Sequence, residues 1–318
     1  REMIERFDVV LHFAHRTFRW TNEAKGKAAV HVVIIGFSNI DSAEKIIYEY
    51  DTVNSEPHEL RVSNITPYLT EGKTVFIESR GNPLHSYPAM FKGSQPTDGG
   101  HLILSEQERG EFIQAEPESA KWIRQYMGAD DFINNRKRYC LWLKGIAPSK
   151  LKRLQKVQER VAGVAENRKK SPTPSVREFA QYPTLFTQDR QPDSDYLTVP
   201  EVSSENRRYL PIGFISQKVI CSNTVQIIPH ATLFLYGILT SQMHMAWIRY
   251  TCGRLESRYR YTPSVYNNYP FPESPSEKQR EGVEKAAQKV LDTRAQFPES
   301  SLADLYDPLT MPPALAKA

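Results

Sequence analysis

Clustered carboxylates followed by a lysine could hold a metal ion and cleave phosphodiesters, and this sequence offers one such set, Asp8 with Glu23 and Lys25. Asp8 is widely separated from the other two, which fall in a polar connection. A small metal-dependent nuclease is therefore only an alternative interpretation. His12 and His15 could contribute imidazole nitrogens, but no further ligands accompany them in the sequence, so zinc is not predicted.

Other reaction centres are missing from the sequence. It contains no Gly-x-Gly, so neither a dinucleotide fingerprint nor a glycine-rich phosphate loop is predicted. The three cysteines are far apart and form no Cys-x-x-Cys motif for zinc or redox chemistry. An odd number of widely spaced cysteines fits a reducing cytoplasm. We therefore expect no catalytic residue, metal or cofactor in this chain.

Positive charge is concentrated in two stretches, although the whole chain carries a formal net charge of only +4. Residues 150–170 include eight lysines and arginines against two glutamates, and residues 249–260 include four arginines against one glutamate. Such clusters favour binding of a polyanion. A solvated helix face, or a docking surface for an acidic protein, is the alternative interpretation.

The 318 residues are 40% hydrophobic and 25% charged, a composition that supports two or three packed domains.

Strands are expected at the beginning of the chain. Residues 9–13 and 28–37 have the pattern of strands, and the second run is apolar throughout, as expected for a strand covered on both faces. Because two strands alone are marginally stable, we expect them to belong to a larger sheet that begins upstream of Arg1.

Three helices are predicted from apolar periodicity. Residues 149–167 have apolar positions at steps of three and four, which leaves the opposite face basic. Residues 231–251 are apolar on nearly every face, which predicts a buried helix. Residues 276–279 form a capping box for a helix that ends near residue 296. Residues 184–205 are expected to be loop and residues 266–272 extended, and no stretch is long and apolar enough to span a membrane.

Several long motifs resemble the C-terminal part of MmeI-like type IIL restriction-modification enzymes. They occur in the same order along nearly the whole chain, at residues 13–20, 23–37, 96–100 (Pro-Thr-Asp-Gly-Gly), 209–214 (Tyr-Leu-Pro-Ile-Gly-Phe), 237–247, 252–255 (Cys-Gly-Arg-Leu), 260–272 and 305–313. The resemblance implies a polypeptide with an endonuclease, a helical spacer, an adenine methyltransferase, a target recognition domain and a helical tail.

On this resemblance the chain is α+β and carries the last of these parts. Residues 1–50 correspond to the final strands of a class I methyltransferase sheet, residues 51–272 to the target recognition domain, and residues 273–318 to a helical segment that we expect to continue past Ala318. The family's cofactor loop and its Asn-Pro-Pro-aromatic tetrapeptide are not found. S-adenosylmethionine, and Mg²⁺ for cleavage, are therefore expected only in the intact protein, and this chain alone should neither methylate nor cut DNA.

Glu256 and Arg258 are the first candidates for reading bases. Glutamate can accept a hydrogen bond from cytosine N4, and arginine can donate twice to guanine O6 and N7, so the two together match a C·G pair. On an extended segment, side chains two positions apart lie on the same side. The resemblance also marks this place as a specificity position. A surface ion pair between Glu256 and Arg258 is the alternative.

A second candidate group for reading bases combines Glu201 with Asn223 and Thr224. The resemblance marks Glu201 and Asn223 as specificity positions, and Thr224 could pack on a thymine methyl. A simple Ser-Asn-Thr turn is the alternative for residues 222–224. Phosphate contacts are assigned to lysine and arginine side chains, which would position the protein on the duplex without reading its base sequence. These are Lys218, Arg254, Arg260 and Arg208, together with Arg207.

The sequence thus predicts sequence-specific recognition of duplex DNA, which would position a target adenine for S-adenosylmethionine-dependent methylation. The expected partners are double-stranded DNA and the upstream methyltransferase and endonuclease domains of the same polypeptide, with no membrane, in the cytoplasm. The alternatives are a basic protein-interaction module and, less favoured, a small metal-dependent nuclease.

Overall fold

The computed structural model describes residues 1–20 and 30–318, which divide into two compact units. The first unit comprises Arg1–Ser79 with Arg254–Ser257, and the second comprises Arg80–Gly253 with Arg258–Ala318. Glu23 and Lys25 of the alternative nuclease site lie outside the described residues. Within the described part, no helix combines the length and apolar character that crossing a bilayer requires. The domain boundaries predicted after residues 50 and 272 stay predictions.

The first unit is built on a four-stranded sheet. In spatial order its strands are Val30–Ser38, Val10–Trp20, Lys45–Glu49 and His58–Val62, and the helix Glu2–Phe7 precedes them in the chain. Ala14 and Ile47 are fully buried in its small core. The strand Val30–Ser38 was expected to be covered on both faces, but among the described residues it is an edge strand with Val33 and Phe37 exposed.

The second unit combines two four-stranded sheets with helices, which confirms the α+β class. One sheet has the order Gly213–Ile215, Tyr196–Pro200, Val225–Pro229 and Phe91–Lys92, and the other has the order Ile220–Cys221, Ile123–Met127, Arg138–Leu141 and Ile103–Ser105. Two short strands, Val202–Ser203 and Arg258–Arg260, pair antiparallel.

The helices of the second unit are distributed along most of its length. The α-helices are Glu106–Ala115, Ala129–Asn134, Pro148–Leu151, Gln155–Lys169, Pro174–Glu178, Leu233–Leu239, Gln242–Thr251, Pro263–Asn267, Glu277–Ala295, Leu302–Leu305 and Pro313–Lys317, and Pro117–Trp122 and Phe179–Gln181 are 3₁₀ turns. The capping box predicted for the helix Glu277–Ala295 is confirmed, since Ser276 and Gln279 each accept from the other's backbone amide.

The strand Tyr196–Pro200 lies in a segment that was predicted to be loop. All five of its residues are buried, because it pairs with Val225–Pro229 on one side and with Gly213–Ile215 on the other. A strand covered in this way has no alternation of polar and apolar residues, and prolines and polar residues surround it in the sequence. The loop prediction for residues 184–205 is therefore wrong at its centre, next to the candidate site.

Three other element predictions are corrected by the structure. The helix predicted over residues 149–167 is two helices, Pro148–Leu151 and Gln155–Lys169. The helix predicted over residues 231–251 is also divided, because the Ser241 hydroxyl accepts from the His244 amide and begins a new helix there. The second of these helices has an exposed side, since Met243 is 69% exposed. Residues 266 and 267, expected to be extended, end the helix Pro263–Asn267.

A buried histidine anchors the chain just after the strand Arg258–Arg260. The Nε2 atom of His244 lies 2.9 Å from the Tyr261 hydroxyl, and its Nδ1 atom lies 2.8 Å from the Leu239 carbonyl oxygen. Burial lowers the pKa of His244 to about 4, so its imidazole is neutral at pH 7. This neutral side chain fixes Tyr261, and therefore the direction in which the strand Arg258–Arg260 leaves the core.

Candidate nucleic-acid interface

Glu201 lies at the meeting point of three segments of the second unit. Its amide donates to the Thr224 carbonyl oxygen (3.1 Å), and its own carbonyl accepts from the Tyr261 amide (2.7 Å). The strand pairing of Val202 with Arg260 continues this contact. The backbone therefore brings the second candidate group, Glu201 and the turn at residues 222–225, together with the strand Arg258–Arg260, which carries Arg258 of the first candidate pair.

The Glu201 carboxylate is held between two cations. Lys92 Nζ lies 3.1 and 3.0 Å from its two oxygens, and Arg260 Nε lies 3.1 Å from Oε1. The residue is only 8% exposed, whereas Lys92 and Arg260 are more open to solvent. Glu201 therefore orients the Lys92 ammonium group and the Arg260 guanidinium group. Its predicted base contact, and the phosphate contact of Arg260, stay predictions.

Lys92 was not found by sequence reasoning. It belongs to the two-residue strand Phe91–Lys92, which pairs with Val225–Pro229 and places Lys92 opposite Gln226. Side chains paired in this way lie on the same face of a sheet. Lys92 and Glu201 are 109 residues apart in the chain, so no local pattern could have connected them.

Residues 222–225 form the tight turn that the alternative interpretation predicted. The Val225 amide donates to the Ser222 carbonyl oxygen (3.2 Å), and Asn223 and Thr224 occupy the centre of the turn. The Thr224 hydroxyl accepts from the Ala129 amide (3.0 Å) and lies 2.7 Å from the Ser222 hydroxyl. Since this hydroxyl is engaged with protein groups, a base contact by Thr224 would use its methyl group. Contacts of Asn223 and Thr224 with bases remain predictions.

Glu256 and Arg258 are both exposed, but they do not lie on one extended segment. Glu256 and Ser257 form the turn between the strands Gly253–Leu255 and Arg258–Arg260, and Glu256 has a left-handed φ of 57°. The expectation that extended backbone places both side chains on one side is therefore wrong. Side chains alternate along the strand Arg258–Arg260, where Arg258 and Arg260 are exposed and Tyr259 is buried.

The remaining phosphate candidates are exposed, Arg254 on the strand Gly253–Leu255 and Lys218 and Arg208 in loops. Arg254 donates to the Ser257 carbonyl oxygen (2.7 Å) within the turn it precedes. Lys218 is exposed in the turn before the strand Ile220–Cys221, and the Arg208 guanidinium lies 5.4 Å from the centre of the Tyr209 ring. Arg207 is less suited to a phosphate contact, because it is partly buried and burial lowers its pKa.

One member of the basic stretch 150–170 is not on the surface at all. Arg168 is 0% exposed and donates to four main-chain carbonyl oxygens at 2.7–2.9 Å. These belong to Pro96, Thr97, Tyr182 and Leu185. Arg168 therefore joins two loops to the helix Gln155–Lys169 rather than contributing to a basic face. Arg160 and Lys170 form ion pairs with Glu108 and Glu166, which further reduces the positive charge of that face.

Arg138, which the sequence did not single out, lies beside the turn at residues 222–225. A Cβ atom placed on Gly128 would be 3.0 Å from Thr224 Oγ1 and 3.1 Å from Arg138 Nη2, so these two groups are neighbours. Arg138 Nε donates to both Asp131 oxygens (2.8 and 2.9 Å), and Nη2 also contacts Asp131. These hydrogen bonds raise the pKa of Arg138 above its usual value.

The histidines near the beginning of the chain have protein partners. His12 Nε2 lies 2.9 Å from the Ser38 hydroxyl, and His15 Nδ1 lies 2.8 Å from the Tyr50 hydroxyl. His15 also stacks on Tyr48 with ring centres 4.1 Å apart. Within residues 1–20 and 30–318, no group of three His, Cys, Asp or Glu residues could hold a metal ion.

Comparisons with known proteins show which family the chain resembles. Family models match residues 71–273 (MmeI, target recognition domain), residues 275–318 (MmeI, C-terminal domain) and residues 2–49 (MmeI, DNA-methyltransferase domain). DNA methyltransferase A of Bacillus subtilis (strain 168) is 37% identical over 309 residues, which are 96% of this chain and 34% of that protein.

A solved structure gives the same result. The type IIL restriction-modification enzyme MmeI in complex with DNA has 48% sequence identity and a TM-score of 0.89, over 97% of this chain and 41% of that chain. The chain thus spans less than half the length of either relative. Because one family model covers most of it and the others cover its ends, the chain belongs to the MmeI family, with the target recognition domain at residues 71–273.

Proposed function

We propose that this chain recognises a particular base sequence in duplex DNA and thereby positions a target adenine for methylation by the longer protein. The observation that carries the proposal is the meeting of Glu201, the turn at residues 222–225 and the strand Arg258–Arg260 at one edge of the second unit. This edge combines carboxylate, amide and guanidinium groups, which are the groups that read base edges. The DNA complex of the relative MmeI supports the same proposal.

Two kinds of contact are assigned within this proposal. Base reading belongs to Glu201, Asn223, Thr224, Glu256 and Arg258. Phosphate binding belongs to Lys218, Arg208, Arg254 and Arg260. Phosphate contacts supply affinity that falls with salt and does not depend on sequence, whereas base contacts decide which duplex is preferred.

The remaining chemistry belongs to the longer protein. In this proposal S-adenosylmethionine, and Mg²⁺ for cleavage, are held by parts of the intact protein outside this chain. The methyltransferase and endonuclease domains of the same polypeptide are the partners that act on the bound DNA. A cytoplasmic location is also part of the proposal, since the buried Cys140 and Cys221 are free thiols.

Selection of bound duplexes from a random pool tests the proposal. The wild-type chain should enrich one short sequence, and the double variant Glu256→Lys, Arg258→Asp should change the preferred base at one position while leaving the others. Arg208→Gln is the control, because loss of a phosphate contact should weaken binding to all duplexes and reduce the salt slope by about 1.

Two results would contradict the proposal, and a third would change its set of base-reading residues. An unenriched pool, with no binding to DNA, would favour a protein-interaction module. Metal-dependent cleavage by the purified chain, lost in Glu23→Ala, would favour the nuclease interpretation. Enrichment that is identical for the wild type and the double variant would remove Glu256 and Arg258 from the base-reading set.

A further inference from the structure

We propose that Arg138 is a further specificity-determining residue, whose guanidinium donates to a guanine in the bound duplex. This inference rests on the proposed function, because it adds a reader to the same DNA-binding edge. The Arg138 guanidinium lies beside Thr224. A Cβ atom added to Gly128 would be 3.1 Å from Arg138 Nη2 and 3.0 Å from Thr224 Oγ1. The guanine should therefore be at or next to the base pair that the turn at residues 222–225 contacts.

The guanidinium is held in one orientation before any ligand binds. Its Nε–Nη2 edge is bonded to Asp131, whose side chain is 3% exposed and also accepts from the Gly128 amide (2.7 Å). The guanidinium carbon lies 5.4 Å from the centre of the Tyr126 ring. The Nη1–Nη2 edge keeps N–H groups directed away from Asp131, and this edge fits guanine O6 and N7. Because the orientation is fixed in advance, little conformational entropy is lost when a base is bound.

Charge favours a base rather than a phosphate as the ligand of Arg138. Its positive charge is balanced by Asp131 at hydrogen-bond distance, so the pair has little net attraction for the phosphate backbone at long range. Directed N–H donors remain, and the Arg138 side chain is 42% exposed. An oriented donor with a neutralised charge discriminates between bases more than it adds general affinity.

A nearby pair shows what an ordinary surface contact looks like in the same segment. Arg136 Nη1 lies 2.5 Å from Asp130 Oδ2, but the two side chains are 64% and 63% exposed. An exposed pair of this kind is not fixed in orientation. Arg136 is therefore a matched control, since it has the same residue type, the same type of partner and nearly the same position in the chain.

The test combines modified DNA with protein variants. The wild-type chain is titrated with the duplex enriched from the random pool, in which each guanine in turn is replaced by 7-deazaguanine, which lacks the N7 acceptor. Replacement of one guanine other than the guanine assigned to Arg258 should weaken binding about tenfold. In Arg138→Lys, which keeps the charge but lacks the planar pair of donors that Asp131 orients, the same replacement should have a much smaller effect, whereas Arg136→Lys should behave as the wild type does.

A second variant protects the test against a folding defect of Arg138→Lys. Asp131→Asn has the same shape, keeps an acceptor for the Gly128 amide and leaves Arg138 in place without its charged partner. It should reduce the effect of the critical 7-deazaguanine by several-fold, and its melting curve shows whether the fold is retained.

The outcomes separate this inference from the proposed function. If no duplex is preferred by the wild type, the proposed function and the role of Arg138 are both wrong. If a duplex is preferred but every 7-deazaguanine effect is the same in Arg138→Lys and Asp131→Asn as in the wild type, only the role of Arg138 is wrong. A third outcome is that the Arg138 variant weakens binding to all duplexes equally and reduces the dependence of the binding constant on salt. That result would make Arg138 a phosphate contact and would also overturn the inference.

Discussion

The buried imidazole of His244 makes the stability of the second unit depend on pH. In the folded chain the pKa of His244 is lowered to about 4 by burial, against the ordinary value of 6.5 expected when the chain is unfolded. Between these two values the unfolded chain binds a proton that the folded chain does not. Protonation therefore favours unfolding, and this part of the stability is present above pH 6.5 and is lost as the pH falls towards 4.

The magnitude follows from the two pKa values of His244. Each pH unit below 6.5 removes about 1.4 kcal/mol of unfolding free energy until the folded-state pKa is reached. At pH 5 the loss is thus about 2 kcal/mol relative to pH 8. The replacement His244→Gln should remove this loss, because glutamine does not titrate, although the variant is less stable than the wild type at pH 8.

Urea denaturation at several pH values between 5 and 8, followed by tryptophan fluorescence, measures this effect. Trp247 lies in the same helix as His244 and reports on this region. Tyr261→Phe is the control, since it removes the hydroxyl partner but keeps the buried imidazole, so it should be less stable yet retain the pH dependence. If the wild type and His244→Gln lose the same unfolding free energy between pH 8 and pH 5, His244 is not the buried neutral group described above.

Three further predictions concern single side chains. Arg168→Met should lower the unfolding free energy by at least about 3 kcal/mol in urea denaturation, because four main-chain carbonyl oxygens lose the charged donor that the fully buried Arg168 provides, and a loss below about 1 kcal/mol would contradict that role. Lys92→Met should lower the unfolding free energy by about 1–3 kcal/mol, because the nearly buried Glu201 loses a cation. Adding Glu201→Gln should recover part of this loss, and losses that simply add in the double variant would exclude coupling between Lys92 and Glu201. Glu256→Gly should be more stable than Glu256→Ala by about 1 kcal/mol in thermal unfolding, because glycine tolerates the left-handed φ, whereas both should lose the same base preference.

The sequence predicts the parts of this fold that depend on local patterns. The capping box at Ser276, the beginning of the strand Val10–Trp20 and the buried apolar face of the helix Gln155–Lys169 all arise from neighbouring residues, and all were expected. The strand Tyr196–Pro200 was missed because burial on both faces removes the alternation that marks a strand.

The candidate site could be predicted only in pieces. Glu201, Asn223 and Thr224 were selected as a group, and the structure joins Glu201 to Thr224 through the backbone. Lys92 and Arg138 could not be found, because their roles come from contacts with partners brought near by tertiary structure. Arg168 shows the opposite error, since a residue counted among surface cations is buried and bonded to main-chain carbonyl groups.

The ratio of dissociation constants for matched and mismatched duplexes tests the central claim most directly. The wild-type chain is titrated with its enriched duplex and with duplexes that differ from it by one base pair, at several salt concentrations. Reading of bases at the Glu201 edge predicts that one change weakens binding at least about fivefold and that this ratio persists as salt lowers every affinity. Equal dissociation constants for all duplexes at every salt concentration would contradict the claim.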